Sequence, residues 1–354
     1  MTEKILMKGN EALAEAAIRA GCRYFFGYPI TPQTQVAEYM AKKLPKIGGV
    51  YLQSESEVAA INMVMGAAAT GARAMTSSSS PGISLKSEGI SYIAGCDLPA
   101  VIVNMQRGGP GLGGIQPAQS DYYQATKGLG HGDFRMIVLA PCGVQEIVDL
   151  MGKAFDLADE YRMPVMILGD GMLGQMMEPI TLPEPKEEDR SGKTWAACGT
   201  GGKRKRNVVN SLYIQPDVLE RLVVERYQRY DRVAANETMS ESYLTEDAEI
   251  VIAAYGASAR IAKNAIAAAR AEGIKAGLVR PITLWPFPNA AFQKAAETAK
   301  AFLTVEMSMG QMVDDVKLAI ECAKPVHFFG RTGGVVPTPA EILDQLRKIH
   351  GGER

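Results

Sequence analysis

The chain has 354 residues, enough for two domains of ordinary size, and its 47% hydrophobic content can bury a real core. Lys and Arg number 38 against 39 Asp and Glu, giving a net charge of -1, so nothing global draws the chain to nucleic acid or to a membrane. The first residues carry charge and no long apolar run, and no signal peptide or membrane span is visible, so the expected compartment is the cytoplasm.

The first half alternates short apolar strands with helices. The pattern predicts a helix over 10–20, a strand over 24–26, a helix over 33–44, a strand over 50–52 and a helix over 54–70. A strand over 74–77, a helix over 82–94 and a strand over 100–103 follow, and then a long glycine-rich loop. A strand over 136–139, a helix over 144–160 and a strand over 165–168 complete the set. Short apolar strands alternating with helices mean a parallel sheet covered on both faces.

Residues 179–206 break this pattern with Pro183, Pro185, an acidic patch and a glycine-rich basic stretch, which indicates a linker. A highly charged helix is predicted over 215–233. A second α/β unit begins near Glu249, with strands over 250–255, 276–279, 301–305 and 326–329 and an Ala-rich helix over 258–271. The two units do not repeat one another. The expected division is 1–180, 181–245 and 246–354.

The five cysteines, Cys22, Cys96, Cys142, Cys198 and Cys322, include no C-x-x-C pair, so they are expected to be buried free thiols and not a metal or iron–sulfur site. Three histidines, His131, His327 and His350, leave little material for a histidine-driven mechanism.

Several residues at strand ends carry chemistry. Glu57 opens a helix with no charge from Val58 to Ala72. It fits a capping box with Ser54, or else it is an acid facing an apolar pocket. Thr31 lies between Pro29 and Pro32 in the Gly27-Tyr28-Pro29-Ile30-Thr31-Pro32 loop, either as a helix cap or as a hydroxyl offered to a ligand at the sheet edge. Arg107 follows a strand and precedes Gly108–Gly114, where it is an exposed loop residue or a fixed fork for a carboxylate. That glycine run fits neither phosphate-binding pattern. Ser77–Gly82 reads as a turn and helix cap whose hydroxyls could also meet a ligand. Gly169-Asp170-Gly171 reads as a tight turn, and Lys203–Arg206 as a solvated basic loop.

Taken together, these residues resemble the α subunits of the 2-oxoacid:ferredoxin oxidoreductases, nearly end to end. The elements are the Gly27–Pro32 loop, the Glu57 helix ending Gly66-Ala67, the Arg107 strand end, Gln116-Pro117-x-Gln119-Ser120-Asp121, and Val279-Arg280-Pro281-x-Thr283-Leu284-x-Pro286-Phe287-Pro288. The wording is closest to the branched-chain, 2-oxoisovalerate type, with 2-oxoglutarate synthase subunits similar. The resemblance implies a doubly wound parallel-sheet domain that binds the pyrimidine of thiamine diphosphate, followed by a smaller α/β domain like the C-terminal domain of transketolase. It implies CoA-dependent oxidative decarboxylation of a 2-oxoacid, with electrons passed to ferredoxin.

By the same resemblance, Glu57 hydrogen-bonds the aminopyrimidine ring and favours the imino form that generates the ylid. Thr31 and Arg107 hold the substrate carboxylate, and Tyr28 and Pro29 shape the cofactor loop. A β subunit supplies Mg²⁺, the diphosphate site and an iron–sulfur cluster, and γ or δ subunits add further clusters. Two other readings stay open: a 2-oxoglutarate-specific α subunit, and a non-catalytic scaffold. A NAD-type Rossmann enzyme is disfavoured, because no G-x-G-x-x-G follows the first strand.

Overall fold

Alternating apolar residues on short strands decide which layer each side chain joins. The computed structural model describes residues 4–352. In chain order the first part runs β1 (Ile5–Lys8), α1 (Gly9–Arg19), β2 (Tyr24–Gly27), α2 (Thr34–Lys43), β3 (Val50–Gln53), α3 (Glu57–Ala69), β4 (Ala74–Ser78), α4 (Ser80–Gly95) and β5 (Ala100–Gln106). It continues with β6 (Ile137–Leu139), α5 (Val144–Tyr161), β7 (Pro164–Asp170), α6 (Gly171–Gln175) and β8 (Met177–Ile180).

The second part comprises α7 (Pro216–Asn236), β9 (Ser240–Tyr243), β10 (Ile250–Ala253), α8 (Gly256–Ala271), β11 (Ala276–Pro281) and β12 (Thr283–Trp285). It ends with α9 (Asn289–Thr298), β13 (Ala301–Glu306), α10 (Met312–Ala319), β14 (Val326–Gly330) and α11 (Pro339–His350).

A seven-stranded sheet runs β12-β6-β7-β5-β4-β2-β3. Its strands are parallel except β12, which pairs antiparallel with β6. On one face Met75, Val101, Val103, Val165 and Ile167 meet α1 and α5; on the other Ala74, Ile102, Met166 and Leu168 meet α3 and α4. Residues β4, β5 and β7 contribute are buried throughout. The second sheet runs β14-β13-β10-β11-β9, parallel except for β9.

The two parts dock through residues of two of the stretches that carried the resemblance, Gln116–Asp121 and Val279–Pro288. After β11 the chain returns to the first sheet as β12. Arg280, 4% exposed, grips Glu146 through Nη1 at 3.0 Å and Nη2 at 2.9 Å, and Glu241 through Nε at 2.7 Å. Gln119 reaches the other way: its Nε2 donates to Tyr255 O at 2.8 Å, and its Oε1 accepts from Ser258 Oγ at 2.6 Å and Met307 N at 3.0 Å. This buried amide uses three of its four hydrogen-bonding sites, with partners on both its nitrogen and its oxygen, so the junction is fixed rather than sliding.

The structure corrects several local expectations. Gly169–Gly171 is no free turn: β7 runs through Asp170, whose carboxylate caps α6 by accepting from Met172 N at 2.8 Å and Leu173 N at 3.1 Å. Burial lifts the Asp170 pKa to about 6, against those bonds. The strands β1, β8, β9 and β12 lie outside the predicted set; β8 and β9, Met-Glu-Pro-Ile and Ser-Glu-Ser-Tyr, carry no apolar run to signal them. Among the thiols only Cys22 is fully buried; Cys198 and Cys322 are exposed.

Candidate active site

Parallel strands end on one edge of their sheet, and the loops that follow converge there. β2, β4 and β5 thereby bring the 28–34 loop, the start of α4 and Arg107 around a cavity of about 480 Å³. Tyr28, Pro29, Ile30, Thr31, Glu57, Gly82, Leu85, Arg107 and Leu112 are among its lining residues. All five residues singled out from the sequence, Tyr28, Pro29, Thr31, Glu57 and Arg107, meet in this one cavity.

Glu57 is the first residue of α3 and is 6% exposed. The capping box expected with Ser54 does not form. Ser56 is the N-cap, accepting from Ala59 N at 3.2 Å, while Ser54 Oγ lies 2.8 Å from Ser56 O. The loop turns two residues later than the sequence spacing suggests. Among the described residues the Glu57 carboxylate accepts no hydrogen bond. It packs instead against α4 at Gly82, where a Cβ would lie 2.7 Å from Glu57 Oε1 and 2.1 Å from Ser78 Oγ. A buried acid without protein partners, at the wall of a cavity, is poised to bond a ligand.

Thr31 is not a helix cap either: α2 begins at Thr34 with Gln33 as N-cap. The loop is tied down from both sides. Asn10 Nδ2 donates to Pro32 O at 2.8 Å, and Arg107 Nη1 donates to Thr31 O at 2.9 Å. Thr31 is left exposed in the cavity.

Arg107 is 6% exposed, so it is no solvated loop residue. Its Nη2 donates to Leu112 O at 3.0 Å, and its Nε is buried without a partner. The guanidinium therefore bridges the two loops that frame the cavity and keeps donors in reserve. A polar chain fixes its backbone: Arg107 N donates to Ser80 Oγ at 3.0 Å, and Ser80 Oγ donates to Asp121 Oδ2 at 2.6 Å. Asn104 Nδ2 adds a second bond to that carboxylate at 2.9 Å. Burial raises the Asp121 pKa, against the bonds from Ser80 and Asn104.

The glycine-rich loop after Arg107 folds back on itself rather than cradling a ligand. Gly114 N donates to Gly108 O at 2.8 Å, and Gly113, at φ 60°, passes so close that a Cβ would lie 1.8 Å from Gly108 O. Of the serine run, Ser77 Oγ donates to Gln33 Oε1 at 2.5 Å, while Ser78 and Ser79 are buried with unpartnered hydroxyls.

One buried charge escaped the sequence reading. Lys86 is 0% exposed and its Nζ has no partner. The signal was present: Ile83, Lys86, Ile90 and Ile93 fall on one helical stripe, so the lysine occupies a core position. Burial pushes its pKa down to about 8, and the charge of Glu57 offsets part of that fall. Among the described residues no helix is long and apolar enough to cross a membrane, and no group of three or more His, Cys, Asp or Glu could hold a metal ion.

Residues 15–241 match the family described as "Pyruvate flavodoxin/ferredoxin oxidoreductase, thiamine diP-bdg", and residues 248–342 match "Pyruvate:ferredoxin oxidoreductase core domain II". The chain is 50% identical over 346 residues to the ketoisovalerate oxidoreductase subunit VorB of Methanothermobacter marburgensis, covering 98% of each. It is 39% identical over 378 residues to the 2-oxoglutarate synthase subunit KorA of Methanothermobacter thermautotrophicus, covering 99% of this chain and 100% of that one. Among solved structures it is similar to the 2-oxoglutarate:ferredoxin oxidoreductase of Magnetococcus marinus, with a TM-score of 0.88 and 28% identity over 98% of this chain and 65% of that one. With both halves of the chain matched and relatives aligned along its whole length, the chain belongs to the 2-oxoacid:ferredoxin oxidoreductase family, which decarboxylates 2-oxoacids oxidatively with coenzyme A, and it carries that family's thiamine diphosphate-binding domain.

Proposed function

We propose that this chain is the α subunit of a 2-oxoacid:ferredoxin oxidoreductase acting on a branched-chain substrate, 3-methyl-2-oxobutanoate. The observation that carries the choice is the charge inventory of the cavity. Arg107 is the one cation among its described lining residues, beside apolar Ile30, Pro81, Leu85 and Leu112. One carboxylate finds a partner there, and an aliphatic side chain finds apolar walls. The second carboxylate of 2-oxoglutarate would be desolvated without a counter-charge, which is costly. The similarity to VorB points the same way.

The residues fit thiamine diphosphate. When bound, that cofactor supplies the acidic thiazolium carbon and the electron sink for decarboxylation. On this reading Glu57, buried and free of protein hydrogen bonds, would hold or move a proton at the aminopyrimidine ring. Gly82 leaves the room its carboxylate needs. Arg107 and Thr31 grip the substrate carboxylate, Arg107 through its spare N–H groups. Tyr28 and Pro29 shape the loop over the cofactor, with the chain dividing at about residues 180 and 245 as the sequence pattern suggests.

Two apolar residues that line the site are exposed: Leu85 at 55% and Leu112 at 82%. Such exposure supports burial by a partner chain. We assign Mg²⁺, the diphosphate site and the iron–sulfur cluster to a β subunit, further clusters to γ or δ subunits, and electron delivery to ferredoxin. Catalysis then requires the complex.

The test is to co-express the chain with its partner subunits and compare substrates with coenzyme A and ferredoxin. The expected result is a kcat/KM for 3-methyl-2-oxobutanoate at least tenfold above that for 2-oxoglutarate. A preference for 2-oxoglutarate would overturn the substrate assignment.

A further inference from the structure

Lys86 lies on α4, four residues after Gly82 and three before Gly89, so the three share one face. Both glycines meet α3 closely. A Cβ on Gly82 would lie 2.7 Å from Glu57 Oε1, and one on Gly89 would lie 2.4 Å from Ile61 Cγ2. The two helices are therefore pressed together above and below Lys86, and the lysine is sealed at the seam with 0% exposure and an unpartnered Nζ.

The layer beneath is polar where a core is normally apolar. On β4, Thr76 and Ser78 alternate with Met75 and turn toward α3 and α4, as Ala74 does. Their hydroxyls are buried and unpartnered. Glu57 is the charged group that acts on Lys86; β4 adds uncharged hydroxyls to the same layer. A purely structural position would hold leucine or methionine, which fill such a seam without desolvating an ammonium.

We propose that Lys86 is a positioning residue for Glu57, a sealed cation that balances the negative charge left on the carboxylate when its proton passes to the cofactor ring. With the cofactor bound, Glu57 would pass its proton to a nitrogen of the pyrimidine ring, and Lys86 would keep its own. Low dielectric on the Lys86 side of the seam strengthens the attraction between the two charges. This rests on the reading of Glu57 as the acid on the aminopyrimidine ring.

The experiment titrates Lys86 in the full chain with lysine labelled by ¹³C at Cε, its resonance assigned by loss in Lys86→Met, or in Lys86→Gln should the first not fold. The expected midpoint is about 8 in the native chain. It moves lower in Glu57→Gln, because the charge that favours the ammonium is gone. A midpoint unmoved by Glu57→Gln overturns the proposal. In the assembled complex, Lys86→Met lowers kcat about tenfold, less than the roughly 10²–10⁴ that loss of the whole acid–base step would cost, with KM for the 2-oxoacid unchanged. Full kcat in that variant also overturns it. If Glu57→Gln shifts the Lys86 titration yet keeps full turnover, the reading of Glu57 fails and the proposal falls with it. If Glu57→Gln abolishes turnover while the titration stays put, the proposal alone falls.

Discussion

A Cβ on Gly82 would lie 2.7 Å from Glu57 Oε1, so the carboxylate occupies space that glycine alone leaves. Gly82→Ala tests this directly. The added methyl also meets Ser78 Oγ at 2.1 Å, and both neighbours are side chains that can shift. Overpacking of this kind costs about 1–3 kcal/mol. The expected outcome is a folded chain with a lower melting temperature, and a complex whose thiamine diphosphate affinity and turnover both fall. Calorimetric titration and thermal melts check it; native affinity would show that the Glu57 carboxylate does not face the cofactor.

Arg107 binds Thr31 O and Leu112 O with separate Nη atoms, a geometry that one ammonium cannot copy. Arg107→Lys is expected to raise KM for the 2-oxoacid about ten- to a hundredfold, the equivalent of roughly 1.5–3 kcal/mol for a charged hydrogen bond. Thr31→Val should act in the same direction with a smaller effect. Steady-state kinetics on the complex check both. If the 2-oxoacid response stays native while coenzyme A or ferredoxin use weakens, the carboxylate assignment is wrong.

Arg280 ties the second part of the chain to the first through Glu146, and pairs with Glu241 within its own sheet. Arg280→Met takes the guanidinium from Glu146, whereas Glu241 keeps its pair with Lys263. Breaking a fully buried pair costs about 3–5 kcal/mol. Solvent reaches Glu146 and Glu241, 23% and 30% exposed, so the expected loss lies at or below that lower bound. Denaturant unfolding should show it, with an added early transition as the second sheet separates from the first. Unchanged unfolding would mean that the Gln119 contacts and β12 suffice.

Lys86 predicts a pH dependence whose sign follows from its lowered pKa. The pKa falls from 10.5 to about 8 on folding, so between those values the unfolded chain binds more protons than the folded one. Stability contributed by this group therefore rises with pH across that window, and the full cost of burying the ammonium is carried below it. Lys86→Met removes the cost. The variant should melt above the native chain at pH 7, with the difference shrinking toward pH 10. A variant that melts lower at pH 7 would contradict this, because it would make the ammonium stabilising.

The sequence exposed the layout of the site more readily than its details. Thr31, Arg107 and Glu57 could be assigned to one sheet edge because parallel strands end together, and strand alternation is local. Which residue caps α3 was not legible, since Ser54 and Ser56 both suit a cap and only the path of the β3–α3 loop selects Ser56. Arg280 looked like part of a signature, but its partner Glu146 lies 134 residues away, beyond any local pattern. β12 joins a sheet built from the other part of the chain for the same reason. Lys86 was overlooked because a lysine in a helix is ordinarily a surface residue; its place on the Ile83–Ile90–Ile93 stripe was the available clue.

The central claim is that Glu57 is the acid that works on the cofactor, and Glu57→Gln in the assembled complex tests it most directly. The carboxylate makes no capping bond, since Ser56 serves α3. The substitution should therefore leave assembly intact and lower the melting temperature only by what the lost charge beside Lys86 costs. Thiamine diphosphate-dependent CO₂ release from 3-methyl-2-oxobutanoate should fall by about 10²–10⁴, the loss of a general acid–base step. A Glu57→Gln complex that releases CO₂ at the native rate would contradict the account.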